Sequence, residues 1–165
     1  MVKKIYIKSV RKLIQNKNEI ENKLHVKILI KGTNVSISGK AIDEHFTERI
    51  ILALDYKFLI EDALLLKDES YNFKILHIKA HTHRHDLKVI KGRIIGTKGK
   101  TLGTLRELTG CEVALKENEV AIIGPVERIH EAEEAIIALI KGSKQGNVYA
   151  HLESLNRGRR IRRND

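Results

Sequence analysis

"KGRIIGTKGK", residues 91 to 100, packs three glycines and four cationic side chains around an Ile-Ile pair. It runs into Gly99-Lys100-Thr101, which has the ending of a nucleotide-binding P-loop. Spacing tests that reading. A P-loop is G-x-x-x-x-G-K-[ST], so its first glycine should stand at residue 94, and that residue is Ile94. The motif also needs a strand leading in, whereas Leu87 to Ile95 has its apolar residues at helical spacing. A G-x-G-x-x-G dinucleotide fingerprint is absent. The phosphate therefore has to belong to something other than a triphosphate tail.

Gly96-Thr97-Lys98-Gly99 reads as G-x-x-G between two short helices. A plain hinge would use the glycines for their backbone freedom. It would not call for Arg93, Lys98 and Lys100 beside them. Two glycines let a phosphate backbone approach without a Cβ in the way, and the following helix offers free N–H groups and a positive dipole end. Ile94, Ile95 and Leu102, with the nearby strand, suit a narrow groove for bases. A KH domain clamps about four nucleotides of single-stranded nucleic acid in this manner.

The surroundings extend the pattern. Phe73 to Ala80 alternates as a strand. Leu87 to Ile95 is a short helix, with Leu87, Ile90, Ile94 and Ile95 on one side. Lys100 to Thr109 is a second, with Leu102, Leu105 and Leu108 spaced helically and Gly110 as a left-handed cap. "CEVAL" and "EVAII" form a hairpin across Lys116 to Asn118. Pro125 is placed in the first turn of a long helix that buries Val126, Ile129, Ile136, Ile137 and Ile140 and ends at Lys141-Gly142.

The chain also resembles itself. Shifted by 85 positions, "VSISGKAIDEHFTERIILAL" (residues 35–54) falls on "VAIIGPVERIHEAEEAIIAL" (residues 120–139) without a gap. Gly39 meets Gly124, His45 meets His130, and Glu48 meets Glu133. Two copies of one unit are expected. The first reads as a strand at Lys3 to Lys8, helices at Val10 to Ile14 and Ile20 to Leu24, two strands ending at Ser38, and a helix from Ala41. Upstream of that gapless stretch Ile14 is set against Ile95, so the first copy's loop is expected at Gln15-Asn16-Lys17-Asn18, without a glycine. That copy then serves mainly as a packing partner, with accessory RNA contacts at most through Lys12 or Lys17.

"GRIIGTKGKTLGTLRELTGCEVALKENEVAIIG" (residues 92–124) resembles type I KH domains. "EDALLLKDESYNFKILHIK" before the loop and "ALIKGSKQGNVYAHLESLNR" after it resemble the archaeal two-KH rRNA-processing proteins, relatives of the eukaryotic pre-ribosomal factor called the partner of Nob one. The resemblance covers nearly the whole chain, with the N-terminal third weakest. It implies an α+β fold of two tandem type I KH domains (βααββα), each a three-stranded sheet with helices on one face. The divisions expected are a degenerate first KH domain at 1–58, a connecting helix at 59–71, a second KH domain with G-x-x-G at 72–142, and a C-terminal helix with an Arg-rich tail at 143–165. It further implies binding near the 3′ end of small-subunit rRNA during ribosome biogenesis, beside the endonuclease that matures that end, and contact with an initiation-factor alpha subunit. The chain lacks the long N-terminal extension of eukaryotic members, which favours an archaeal source.

The residues expected to hold RNA are Lys91, Arg93, Ile94, Ile95, Gly96, Thr97, Lys98, Gly99, Lys100, Leu102 and Arg106, with bases also packing on the Cys111–Val113 strand. The tail "RGRRIRR" (residues 157–163) adds Arg157, Arg159 and Arg160 as a phosphate-contacting arm that orders on binding.

Composition agrees. The net charge is +10 and the isoelectric point about 9.7, a balance that suits a polyanion. One cysteine, Cys111, excludes an internal disulfide or a cysteine zinc site within one chain and reads as a small apolar residue in a strand. No run reaches the ~18 apolar residues of a membrane span, and the N-terminus lacks a signal-peptide pattern. A cytoplasmic protein without membrane contact is expected. "HTHRHD" (residues 81–86) alternates three histidines that in an extended segment would share a face, but with Asp86 as the sole further ligand a polar lead-in to the helix is favoured over a metal site. No activated nucleophile or carboxylate cluster stands out, so neither an enzyme nor a cofactor is expected. Two alternatives remain at this level: a regulator on mRNA or single-stranded DNA, and an RNA-processing enzyme.

Overall fold

A computed structural model describes residues 2–164. The chain divides into two compact units, Met1–Phe73 and Lys74–Asp165. In the first, β1 (Val2–Tyr6), β2 (Lys27–Lys31) and β3 (Asn34–Ser38) form an antiparallel sheet in the order β1-β3-β2. Helices α1 (Arg11–Leu24) and α2 (Ala41–Asp55) follow β1 and β3, and α3 (Ile60–Ala63) runs into a 3-10 turn at Leu64–Lys67. Ile7, Leu13, Ile20, Val35, Ile37, Ile50 and Ile51 are buried to 1% exposure or less and make the core.

The expected loop at residues 15–18 does not exist. Those residues lie inside the single 14-residue helix α1, so this unit is β-α-β-β-α rather than βααββα. "QNKN" contains no glycine or proline, so nothing stops propagation. Leu13, Ile20 and Leu24 keep one continuous buried face across it. The Asn16 amide donates back to the Lys12 carbonyl at 2.7 Å within the helix. The Lys12 ammonium is itself engaged, donating to the carbonyls of Lys57 (2.8 Å) and Phe58 (3.0 Å).

β4 (Tyr71–His77) begins in the last residues of the first unit and leads into the second, which continues with a 3-10 turn at Ile78–Ala80, α4 (Leu87–Ile95), a tight turn at Thr97–Gly99 and α5 (Lys100–Thr109). It continues with β5 (Glu112–Lys116), β6 (Glu119–Pro125), α6 (Ile129–Lys141) and α7 (Gln145–Asn164). Its strand order, β4-β6-β5, repeats that of the first sheet. Ile90, Ile94, Leu105, Ile122, Ile136 and Leu139 form its core, and α7 adds Val148 and Leu152.

The internal repeat is legible in packing detail. A Cβ at Gly39 would meet Val26 Cγ1 at 2.9 Å, and one at Gly124 would meet Cys111 Sγ at 2.2 Å. Val26 and Cys111 are themselves 85 residues apart, so the same close approach occurs in both units. Glu48 pairs with Lys3 of β1 at 2.5 Å, and Glu133 pairs with Lys74 of β4 at 3.1 Å.

Three boundaries differ from expectation. The strand expected at 73–80 ends at His77 and tightens into a 3-10 turn. Pro125 is the last residue of β6, where no further ladder donor is needed, and α6 begins only at Ile129. Val126, expected in the core, is 49% exposed. The arginine tail is not an irregular arm: α7 is one 20-residue helix reaching Asn164.

Candidate nucleic-acid interface

Three of the four loop residues adopt positive φ: Gly96 (φ 76), Lys98 (φ 54) and Gly99 (φ 76). The two glycines are needed for different reasons. A Cβ at Gly96 would stand 2.2 Å from Thr101 Oγ1 and 2.6 Å from the Thr101 nitrogen, so the loop is closed there by contact. A Cβ at Gly99 would have nothing within 4 Å. Gly99 thus faces open space, immediately before the first turn of α5 and its positive dipole end, while the turn itself is closed by the Gly99 N–H donating to the Gly96 carbonyl at 3.2 Å and the Lys100 N–H donating to the Thr97 carbonyl.

Thr97, Lys98 and Lys100 are exposed around this opening, and Lys91 is half-buried. Among the described residues none of these three lysines has an ion-pair partner. Of the Ile-Ile pair, Ile95 is 37% exposed while Ile94 is fully buried in the core. Leu102 is half-buried beside the loop. Cys111 precedes β5 and is fully buried, and burial pushes its thiol pKa up, so it offers bases no surface.

Three arginines named from the sequence serve the fold. The Arg93 guanidinium donates to the carbonyls of Leu139 (2.8 Å) and Ser143 (2.5 Å), closing the C-terminal end of α6. Arg106 pairs with Glu112 at 2.6 Å. Arg159 donates to both carboxylate oxygens of Glu131, one at 2.9 Å, and to Asn156. Arg128 also donates to Glu131, at 3.4 Å. Burial raises the Glu131 pKa, but the hydrogen bonds and charges of Arg159 and Arg128 outweigh it and hold the carboxyl below its ordinary value. Arg157 and Arg160 are exposed on α7.

Gln145 is a site residue that charge and glycine spacing did not reveal. Its amide donates to the Arg93 carbonyl and to Thr101 Oγ1, both at 3.0 Å. It ties the first turn of α7 to the helices on either side of the loop. Next to it a cavity of about 370 Å³ is lined by Gly96, Thr97, Lys100, Thr101, Gln145 and Tyr149. In the histidine segment His83 and His85 are exposed, and Asp86 caps α4 by accepting the Val89 N–H at 3.4 Å.

Comparison with known proteins places this geometry. Residues 72–157 match the second KH domain of PNO1 proteins, a eukaryotic-type (type I) KH domain. A KH domain-containing protein of Methanocaldococcus jannaschii is 30% identical over 146 residues, covering 83% of this chain and 63% of the relative. The pre-rRNA-processing protein pno1 of Aspergillus oryzae is 32% identical over 112 residues, covering 66% and 43%. The chain thus spans less than two thirds of either of these relatives. The crystal structure of Dim2p from Pyrococcus horikoshii superposes with a TM-score of 0.86 at 32% identity, covering 93% of this chain and 99% of that one. A complex of that organism's Dim2p with the initiation-factor a/eIF2alpha and rRNA gives 0.86 at 29% identity, covering 96% and 95%. By the domain match across its second unit and the fold likeness over nearly its full length, this chain belongs to the Pno1/Dim2 family of type I KH-domain proteins.

Proposed function

We propose that the protein is a non-enzymatic RNA-binding factor of small-subunit ribosome biogenesis, and that its second unit holds single-stranded rRNA near the 3′ end. One observation carries this reading: the G-x-x-G turn is closed inward at Gly96 and open outward at Gly99, at the positive end of α5. A phosphate seated there meets the positive dipole end of α5 and three lysines without an ion-pair partner among the described residues, Lys91, Lys98 and Lys100. Ile95 and Leu102 supply apolar surface to the adjoining bases, and Gly96, Thr97 and Gly99 the backbone of the cradle. Ile94, Arg93 and Arg106 act behind it, as core and as braces. Arg157 and Arg160 add phosphate contacts from α7, with Arg159 holding that helix in place.

The relatives support the process. One is described as a pre-rRNA-processing protein, and a structural neighbour was solved with rRNA and an initiation-factor alpha subunit. The partners proposed here are the 3′ end of small-subunit rRNA, the endonuclease that matures it, and an initiation-factor alpha subunit.

The test is Thr97→Asp with Lys98→Asp. Two carboxylates at the cradle repel phosphate, so affinity for an oligonucleotide of the small-subunit rRNA 3′ end falls more than about tenfold in a gel shift. The melting temperature stays unchanged. Asn16→Asp with Lys17→Asp, on the continuous α1, leaves affinity intact. Unchanged binding by the loop variant overturns the placement. Equal affinity for an unrelated mRNA leader or DNA of the same length favours the regulator reading instead.

A further inference from the structure

The sheet of the first unit has a face that neither the cradle nor the core uses. Val35, Ile37 and Ile28 point into the core. The alternate positions point the other way, and cross-strand register sets them in three rows: Val2–Ser38–Lys27, Lys4–Ser36–Leu29 and Tyr6–Asn34–Lys31. Each row carries one lysine, all three lysines are exposed, and no acidic residue stands among them. Among the described residues these lysines have no ion-pair partner. Tyr6 is 63% exposed and Leu29 55%.

The second sheet shows that this is not simply how the unit folds. At the 85-residue shift, Ser36 and Ser38 correspond to Ala121 and Ile123, which are 0% and 1% exposed. Lys27 corresponds to Glu112, an acid in place of a base. At these central-strand positions one copy is apolar and buried, with both acidic and basic residues around them, whereas the other carries hydroxyls flanked by lysines alone.

Chemistry selects the occupant. Three unopposed lysines ask for a polyanion. A solvent-facing tyrosine on a strand can serve as a stacking platform, the device by which other sheet proteins hold single-stranded bases. Hydroxyl and amide groups on the central strand can meet base edges. Rows two residues apart lie about 7 Å from each other along a strand, a step that suits successive units of an extended chain. We propose that the open face of the first sheet is a second single-stranded RNA-binding surface, with phosphates on Lys4, Lys27 and Lys31 and a base stacked on Tyr6. It rests on the reading of the chain as an RNA-binding protein, but on none of the loop residues.

The full-length chain tests it with two RNAs: one of about four nucleotides, enough for the cradle, and one several times longer. Lys4→Glu with Lys27→Glu and Lys31→Glu should weaken the longer RNA about tenfold or more and leave the shorter one unchanged. Tyr6→Ala should cost about fivefold or more on the longer RNA, and Tyr6→Phe should restore it. Photocrosslinking should join Tyr6 to RNA. Unaltered melting temperatures establish that the variants fold. Wild-type affinity of the triple variant for the longer RNA overturns the inference, as does a variant that keeps RNA but loses a protein partner. If instead the Thr97→Asp, Lys98→Asp chain binds both RNAs normally, the cradle fails and the sheet proposal stands on its own result.

Discussion

Lys98 occupies φ 54, ψ 31, a left-handed conformation that suits glycine. On the proposed function the side chain is kept in this strained conformation for its charge. Lys98→Gly should therefore raise stability by up to about 1 kcal/mol in denaturant unfolding while weakening RNA binding. Loss of stability on that substitution would mean that the side chain is a structural element of the turn. The neighbouring residues show what a sequence displays and what it conceals. Gly96, Gly99 and Gly110 were legible, because backbone freedom is a property of the residue itself. The Ile94–Ile95 pair was not, since adjacent helical positions point in different directions and only the fold decides which one enters the core. The intramolecular partners of Arg93, Arg106 and Arg159 were hidden for a related reason: a sequence states charge but not partner, and Leu139, Glu112 and Glu131 are reached only through tertiary packing.

At the scale of elements, α7 is the main departure. A run of arginines suggests a solvated arm, but arginine is a good helix former. The buried Val148 and Leu152 start a helix that then continues through the tail. Its outer half is fastened by Arg159 on Glu131, whose pKa is depressed. A group with a lowered folded pKa stabilises above its unfolded value, near 4.3 for glutamate, and that contribution is lost as pH falls through the folded value. Amide NMR signals of residues 155–164 should accordingly broaden or shift below about pH 4. Glu131→Gln should cost about 2 kcal/mol at neutral pH and remove much of that acid transition. The hairpins and most helix ends were readable because turns and caps carry their own residue preferences. The fusion of α1 was readable too, in the absence of any breaker in "QNKN", but the pattern of the second copy suggested a loop there.

For the whole molecule, the charge of +10 makes salt the natural probe. Contacts through Lys91, Lys98 and Lys100 alone give a slope of log affinity against log salt of about −2. If the first sheet also engages, a longer RNA should approach about −4. Titrations of the two RNAs at several salt concentrations measure both, and equal slopes would count against a second contact surface. Among the described residues no helix is long and apolar enough to cross a membrane. The continuous α1 bears on how the two copies parted. Exchanging residues 15 and 18 for glycine would put two glycines inside a helix, at about 1 kcal/mol each, and would still open no cradle. The 14 residues of α1 stand where α4, the turn and α5 run from Leu87 to Thr109. Recovering a cradle takes inserted residues rather than exchanged ones, so for a lineage accumulating point substitutions the specialisation of the two copies is a one-way step.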